Sequence, residues 1–390
     1  MNKFKYYFVL LLAGIAMVSC NKSDDDEVVV TPPRDYAEQY KADNDSILKY
    51  LKTNYIKEVT SDLDITFEKI PAGGTQTSIW DQKDYELKYR DVYNRDITYR
   101  VYYLVLREGT GARPCNVDKI SVAYTGTFLD NKIFDSSYGV ARTFDLDVYI
   151  STIIDGWGEI MPQFRTGTSQ TGNDGSITYT GFGAGVMFLP SGLGYYNRVQ
   201  GDVPAYSPLT FSFKLFNLQR MDSEFTATSS GTTVVGDGIP SYLEDINGDG
   251  YLYDLRDVTR YPNPPDWMKG DDSDGDGIAD FLDLDDDGDG FTTRMEITKP
   301  TDLIGWGKLN GEDFYYGISR YYPFEPVSDN PNTINVDETE PWGIPRRPTG
   351  ALKDSSKPES RSNPRAFIPE DYTAAGRSRI HLDKTYPYPL

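Results

Sequence analysis

The sequence predicts an α+β fold for its central region, flanked by less regular segments. Two observations carry this. Between residues 96 and 222, apolar and aromatic residues recur in short runs, several alternating with polar ones, the period of half-buried antiparallel strands. One stretch departs from that period: Trp157, Ile160, Met161 and Phe164 stand at i, i+3, i+4 and i+7, the apolar face of a short helix.

The elements follow in order. Residues 99–106 are β-branched and aromatic and lead into the turn Gly109-Thr110-Gly111. Residues 120–128 read as a second strand. Residues 143–149 alternate Phe144, Leu146 and Val148 with Thr143, Asp145 and Asp147. Residues 184–189 make another short strand. In residues 209–215, Leu209, Phe211, Phe213 and Leu215 face one way, and Thr210, Ser212 and Lys214 the other. Upstream, residues 36–57 predict a helix, with Tyr40, Ile47, Leu48, Leu51 and Tyr55 near helical spacing. One or two short strands are expected around Ile65 and Tyr85. Downstream, residues 223–235 are a Ser-, Thr- and Gly-rich linker, 236–302 are dense in Asp and Gly, and 303–390 form a Tyr- and Pro-rich tail read as irregular.

Composition removes several function classes. The 390 residues carry 39 Lys and Arg against 60 Asp and Glu, a net charge of −21, which repels nucleic acid backbones. The chain has two Cys and one His, His381. That leaves too little for Ser-His or Cys-His chemistry, or for a His-rich zinc site. Activity has to come from carboxylates, aromatics or shape.

The N-terminus sets the compartment. Lys3 and Lys5 precede the uncharged apolar run 8–18, which Ser19 and Cys20 close. The run is too short to span a bilayer and fits a signal-peptide core over residues 1–19. A small residue before Cys at that point resembles a bacterial lipobox, which implies cleavage before Cys20 and lipidation of it. Cys115 is then alone, so the mature chain has no intramolecular disulfide. Residues 20–35 form a polar tether opening on Asp24, Asp25, Asp26 and Glu27. Acidic runs there resemble surface-export signals of some Gram-negative lipoproteins, and equally suit a plain spacer. The expected location is the cell envelope, lipid-anchored to the outer membrane, with the facing side left open.

Within residues 96–222 a series of motifs stands in a particular order: Gly109-Thr110-Gly111 and Pro114; Val122-Ala123-Tyr124-Thr125-Gly126; Phe134-Asp135-Ser136-Ser137; Phe144; Ile153-Ile154-Asp155-Gly156-Trp157; Leu193-Gly194-Tyr195; Val203-Pro204; and Leu209-Thr210-Phe211. This series resembles the FKBP-type peptidyl-prolyl cis–trans isomerases over about a third of the chain. The resemblance implies an antiparallel sheet wrapped around a short helix, with a pocket between them. It implies pocket walls from Tyr124, Phe134, Asp135, Phe144, Ile153, Ile154, Tyr195, Val203 and Phe211, and Trp157 as the floor. Trp157, Phe144 and Phe211 would hold a prolyl ring, the Ile154 N–H and the Tyr195 hydroxyl would donate to substrate, and Asp135 would orient Tyr124. No cofactor is needed for such catalysis, and the partners are proline-containing polypeptides. Three departures from the pattern stand out. Asp202 precedes Val203-Pro204. No Arg stands cleanly at the partner position for Asp135, where Val140 falls and Arg142 is the nearest substitute. An insertion at 168–183 lies where it could gate the pocket or bind a partner.

The acidic segment carries a second pattern. Asp285, Asp287, Asp289, Gly290, Phe291, Thr293 and Glu296 fit D-x-D-x-D-G-x-x-x-x-x-E, an oxygen-ligand spacing for calcium. Asp272, Asp274, Asp276, Gly277, Ile278, Asp280 and Asp283 repeat it. Asp245, Asn247, Asp249, Gly250 and Tyr251, with Asp254 or Asp257, form a degenerate copy, and Asp237 with Glu244 a half-lost one. Abutting copies without long helices resemble thrombospondin type 3 repeats, which implies structural calcium in place of much of a hydrophobic core.

The combined expectation is an envelope-anchored peptidyl-prolyl isomerase assisting the folding of exported or surface proteins. The alternative is an FKBP-like peptide- or partner-binding module with little turnover on a calcium-stiffened lipoprotein.

Overall fold

A computed structural model describes residues 32–149, 153–228, 231–309, 311–328 and 339–387. The signal-peptide, tether and Cys20 expectations fall before residue 32 and lie outside the described residues, apart from the last few residues of the tether. Among the described residues no helix is long and apolar enough to cross a membrane.

Helix α1 (Tyr36–Thr53) starts at Asp35, whose carboxylate accepts from the N–H groups of Ala37 and Glu38 at 2.9 and 3.1 Å. The helix stops at Thr53 and not at 57. Asn54 turns extended and opens strand β1 (Asn54–Val59), which pairs antiparallel with β2 (Ile65–Lys69). Tyr55 therefore sits on a strand. The strand partner lies further along the chain, which helical periodicity cannot register.

The central sheet is antiparallel throughout. Its strands are β3 (Glu86–Asn94), β4 (Ile97–Arg107), β5 (Lys119–Phe128), β6 (Ile133–Ser136), β7 (Arg142–Asp145), β10 (Gly183–Leu189) and β11 (Leu209–Gln219). The order is β3-β4-β10-β11-β5-β6, with β7 also on β5. The expected 143–149 strand ends at Asp145. Strands β8 (Thr168–Thr171) and β9 (Ile177–Thr180) pair with each other as a hairpin.

Both faces of this sheet are covered. On one, Val101, Tyr103, Met187, Leu189, Phe211 and Phe213 pack against Trp157, Ile160, Met161 and Phe164 from helix α2 (Asp155–Ile160) and the turn after it. On the other, Tyr102, Leu104, Val186 and Phe188 pack against Ile47, Tyr50 and Leu51 of α1. Strand β10 serves both cores, which is why its residues are apolar without alternation. Each such large side chain, fully buried, contributes about 1.5–3 kcal/mol.

The acidic segment folds into successive loops joined by short 3-10 turns at Ser241–Leu243 and Asp280–Leu282, ending at helix α3 (Thr293–Glu296). It also packs against the sheet domain. Leu252, Ala279, Phe281 and Leu282 form an apolar cluster with Cys115 and Val117 of the sheet domain. Asn116 exchanges hydrogen bonds with Leu252 (2.7 and 2.8 Å), and the Tyr251 hydroxyl donates to the Glu159 carbonyl at 2.8 Å. The tail is also more ordered than its composition suggests. It contains a hairpin, β14 (Trp306–Leu309) with β15 (Glu312–Tyr315), and helix α4 (Pro369–Thr373). Tyr322, Ile344, Tyr372 and Ile380 bury against Ile239 and Ile297 of the acidic segment.

Candidate active site and cation-binding loops

A cleft of about 330 Å³ opens between the sheet and α2. Its lining is Tyr124, Phe134, Asp135, Thr143, Phe144, Asp145, Ile153, Ile154, Trp157, Tyr195 and Phe211. Nine of the ten expected pocket residues thus share one cavity. Val203 does not line it: it is buried in the core under the turn that bridges Gln200 and Val203. Thr143 and Asp145 line the cleft without having been expected. They sit on the short edge strand β7, where both faces of the strand reach the opening.

The aromatics meet mostly edge to face. Trp157 lies 5.2 Å from Phe144 and 5.3 Å from Phe211, ring centroid to centroid, with interplanar angles of 79° and 60°. Tyr124 stands 5.7 Å from Trp157 at 80°, and Phe134 5.6 Å from Phe211 at 86°. Glycine permits this: a Cβ on Gly126 would fall 2.6 Å from Phe134 and 3.0 Å from Phe211. The floor is buried, with Trp157 3% exposed.

Polar groups line one side. The Tyr124 hydroxyl donates to Asp135 Oδ2 at 2.6 Å, and Asp135 Oδ1 accepts from the Ser136 N–H at 2.8 Å. Burial, then the Asp135 bond, pushes the Tyr124 hydroxyl up from its ordinary value; burial does the same to Tyr195. Both are neutral donors at physiological pH. Ile154 is the N-cap of α2, so its N–H has no partner within the helix. Among the described residues no ion pair reaches Asp135. Arg142 lies on β7, where its charge acts on Tyr124. The 168–183 insertion does not line the cleft. Its Tyr179 and Phe182 pack on Phe216, at 4.5 and 5.1 Å.

The three acidic loops share one geometry. In each, the first Asp accepts from two glycine N–H groups: Asp245 from Gly248 and Gly250 (2.8 and 2.7 Å), Asp272 from Gly275 and Gly277 (2.7 and 3.0 Å), and Asp285 from Gly288 and Gly290 (3.1 and 2.9 Å). The second glycine of each pair sits at φ of 85°, 96° and 92°, a conformation glycine adopts without strain. Carboxylate oxygens of Asp272, Asp274 and Asp276 lie within 4.8 Å of one another, as do those of Asp285, Asp287 and Asp289. Asp280 is tied to Ser273, accepting from its N–H and hydroxyl at 2.7 Å each, and Asp283 accepts from the Asp285 N–H. Glu296 is buried with neither carboxylate oxygen partnered, and Asp287 Oδ2 and Asp289 Oδ2 are likewise unmet. Burial, then the neighbouring Asp287, pushes Glu296 up to about 10. These orphaned oxygens fit a hard divalent cation.

Two stretches of the chain match known families. Residues 111–171 match the family described as FKBP-type peptidyl-prolyl cis-trans isomerase, and residues 236–335 match the one described as BamM C-terminal. FKBP-type peptidyl-prolyl cis-trans isomerase FkpA of Aeromonas hydrophila is 32% identical over 120 residues, 30% of this chain and 38% of that protein. The FKBP-type 22 kDa peptidyl-prolyl cis-trans isomerase of Escherichia coli is 28% identical over 117 residues, 30% of this chain and 48% of that one. Outer membrane protein MIP of Legionella longbeachae is 29% identical over 121 residues, 30% and 44%. The chain spans less than half the length of each of these relatives. Its central region is an FKBP-type domain. The 111–171 match ends before Tyr195 and Phe211, and the fold returns both to the cleft.

Proposed function

We propose that the central domain is a peptidyl-prolyl cis–trans isomerase acting on proline-containing segments of exported proteins. The observation that carries this is the aromatic cleft over Trp157, with the Tyr124–Asp135 hydrogen bond at its rim. Rotation about an X–Pro bond faces a barrier of about 18–20 kcal/mol and takes tens to hundreds of seconds unaided. The twisted amide has lost resonance and is less polar than either planar form. A dry aromatic cleft favours the twisted form over the planar one. In this reading the Ile154 N–H and the Tyr195 hydroxyl donate to the substrate carbonyl. No nucleophile or proton shuttle is required.

The chain is read as an envelope lipoprotein, anchored to the outer membrane through lipid on Cys20. The signal-like N-terminus supports that reading, as does the likeness to an outer membrane protein. Calcium in the acidic loops is structural. The loops lie apart from the cleft, and none of their carboxylates lines it.

The test is the cis-to-trans rate of an X–Pro peptide with the full chain beside Phe134→Ala and Asp135→Val. Acceleration by the parent and its loss in both variants is the expected result. A folded parent that binds the peptide without accelerating it would make the domain a peptide-holding module. For the anchor, Cys20→Ser should move the protein from the membrane to the soluble fraction; unchanged fractionation refutes it.

A further inference from the structure

A second group of carboxylates gathers outside the ligand positions of the three loops. Asp222 and Glu224 lie on the segment leaving β11. Asp237 follows the hairpin of β12 (Phe225–Thr228) and β13 (Gly231–Val234), and Glu244 closes the Ser241–Leu243 turn. Asp286 comes from the third loop, between two of its ligand positions. Oxygens of Asp222, Glu224 and Asp237 lie within 4.8 Å of one another, and so do oxygens of Asp237, Glu244 and Asp286. Glu224 and Asp237 are fully buried, Glu244 is 4% exposed and Asp286 2%.

Donors meet only part of this charge. Asp222 accepts from the N–H groups of Asp237 (3.0 Å) and Gly238 (3.1 Å), Glu224 Oε2 from Asp237 (3.0 Å), and Asp237 Oδ1 from Ile239 (2.7 Å). Glu224 Oε1, Asp237 Oδ2, Asp286 Oδ1 and both oxygens of Glu244 are buried with no partner. Arg294 brings positive charge towards Asp237, but its guanidinium already donates to the Gly236 carbonyl at 3.0 and 3.2 Å. Anionic oxygens are not buried in this way without a counter-charge. An all-oxygen, carboxylate-rich set suits a hard cation of the size and ligand number of calcium.

We propose that Asp237, Glu244 and Asp286 hold a calcium ion, with Asp222 and Glu224 beside it, and that this ion clasps the acidic loops to the end of the FKBP-type domain. Its ligands come from Asp237 after the β12–β13 hairpin, from the connecting turn and from the third loop, from positions 237 to 286. Asp222 and Glu224, on the segment leaving the sheet domain, lie against the shared Asp237. The clasp deepens the structural-calcium reading of the loops and is independent of the isomerase reading.

Native mass spectrometry of the full chain in calcium, for the parent, Glu244→Gln and Asp285→Asn, tests it. Each variant should hold one ion fewer than the parent, and the double variant two fewer. Melting gives a second readout. Glu244→Gln should lower the melting temperature in calcium, where a ligand is lost, and raise it in chelator, where the cost of burying and protonating a carboxylate is removed. If Glu244→Gln does not fold, Asp286→Asn gives the same count. Unchanged ion number with a raised melting temperature in both conditions overturns the clasp and leaves the loop sites standing. A parent that binds no calcium overturns both.

Discussion

The FKBP-type domain and the acidic segment solve the problem of burial in opposite ways. In residues 96–222 the interior is aromatic and aliphatic, and each buried carboxylate meets at least one donor from the protein, with only Asp118 Oδ1 left unmet among the described residues. Asp118 accepts from Arg220 at 2.5 Å and from the Cys115 N–H at 2.7 Å, and Glu159 pairs with Arg90 at 3.0 Å. In residues 236–302 the buried set includes Asp237, Glu244, Asp271, Asp280, Asp286, Asp287 and Glu296, and oxygens of five of these have no donor. The first region carries its own stability in its side chains. On the calcium reading proposed above, the second borrows part of it from a ligand.

The sharpest way to break this contrast is chelation. At free calcium a hundredfold above its dissociation constant, each occupied site adds about 2.7 kcal/mol, so stripping several sites is the largest effect expected. Limited proteolysis in chelator should cut within 236–302 and leave 96–222 intact. Equal resistance with and without chelator would erase the distinction. The opposite perturbation is Phe164→Ala. Phe164 is fully buried, 4.8 Å from Phe213 and 5.8 Å from Tyr103. Its truncation should cost about 3–5 kcal/mol in denaturant melts, with calcium binding by the loops unchanged.

Acidity sharpens the comparison in the metal-free chain. Burial pushes Asp237, Asp271 and Asp287 up to about 7, and Asp286 to about 9. These groups hold protons in the folded chain that the unfolded chain has released. The stability they contribute is present below the ordinary carboxylate range and is lost as pH rises through 7 to 9. In chelator the melting temperature should therefore fall from pH 5 to pH 9. In calcium, which replaces the protons, the slope should flatten. A metal-free melting temperature that climbs over this range contradicts the reading.

How much of this was legible in the sequence depended on whether the cause was local. The alternation of Leu209, Phe211, Phe213 and Leu215, and the face of Trp157, Ile160, Met161 and Phe164, are local periodicities, and they identified the two walls of the cleft. Helix α1 was overrun to 57 because the strand that captures Asn54 and Tyr55 lies at Ile65–Lys69. Glu224 reads as part of a Ser- and Thr-rich linker; only tertiary packing puts it beside Asp237. The tail has little periodicity because its core is made of irregularly spaced aromatics. Trp342 stacks on Tyr372 at 5.1 Å, and Phe367 lies 5.8 Å from the same ring.

The smallest expected effect on stability is also the most informative about the cleft. Tyr124→Phe removes one hydroxyl, at a site open enough for water to satisfy Asp135 in its place. The lost bond is worth about 0.5–1.5 kcal/mol, so the melting temperature should hardly move. The ring contacts to Trp157, Phe144 and Phe211 survive, because they belong to the benzene ring that Phe shares. What changes is Asp135, which loses the donor that fixes its orientation. If Asp135 acts on the twisting amide, the isomerisation rate should drop by up to about tenfold, the kinetic equivalent of that bond, while peptide affinity stays close to the parent's. If rate and affinity are both unchanged, the Tyr124–Asp135 bond is structural only, and the apolar shape of the cleft alone carries the chemistry.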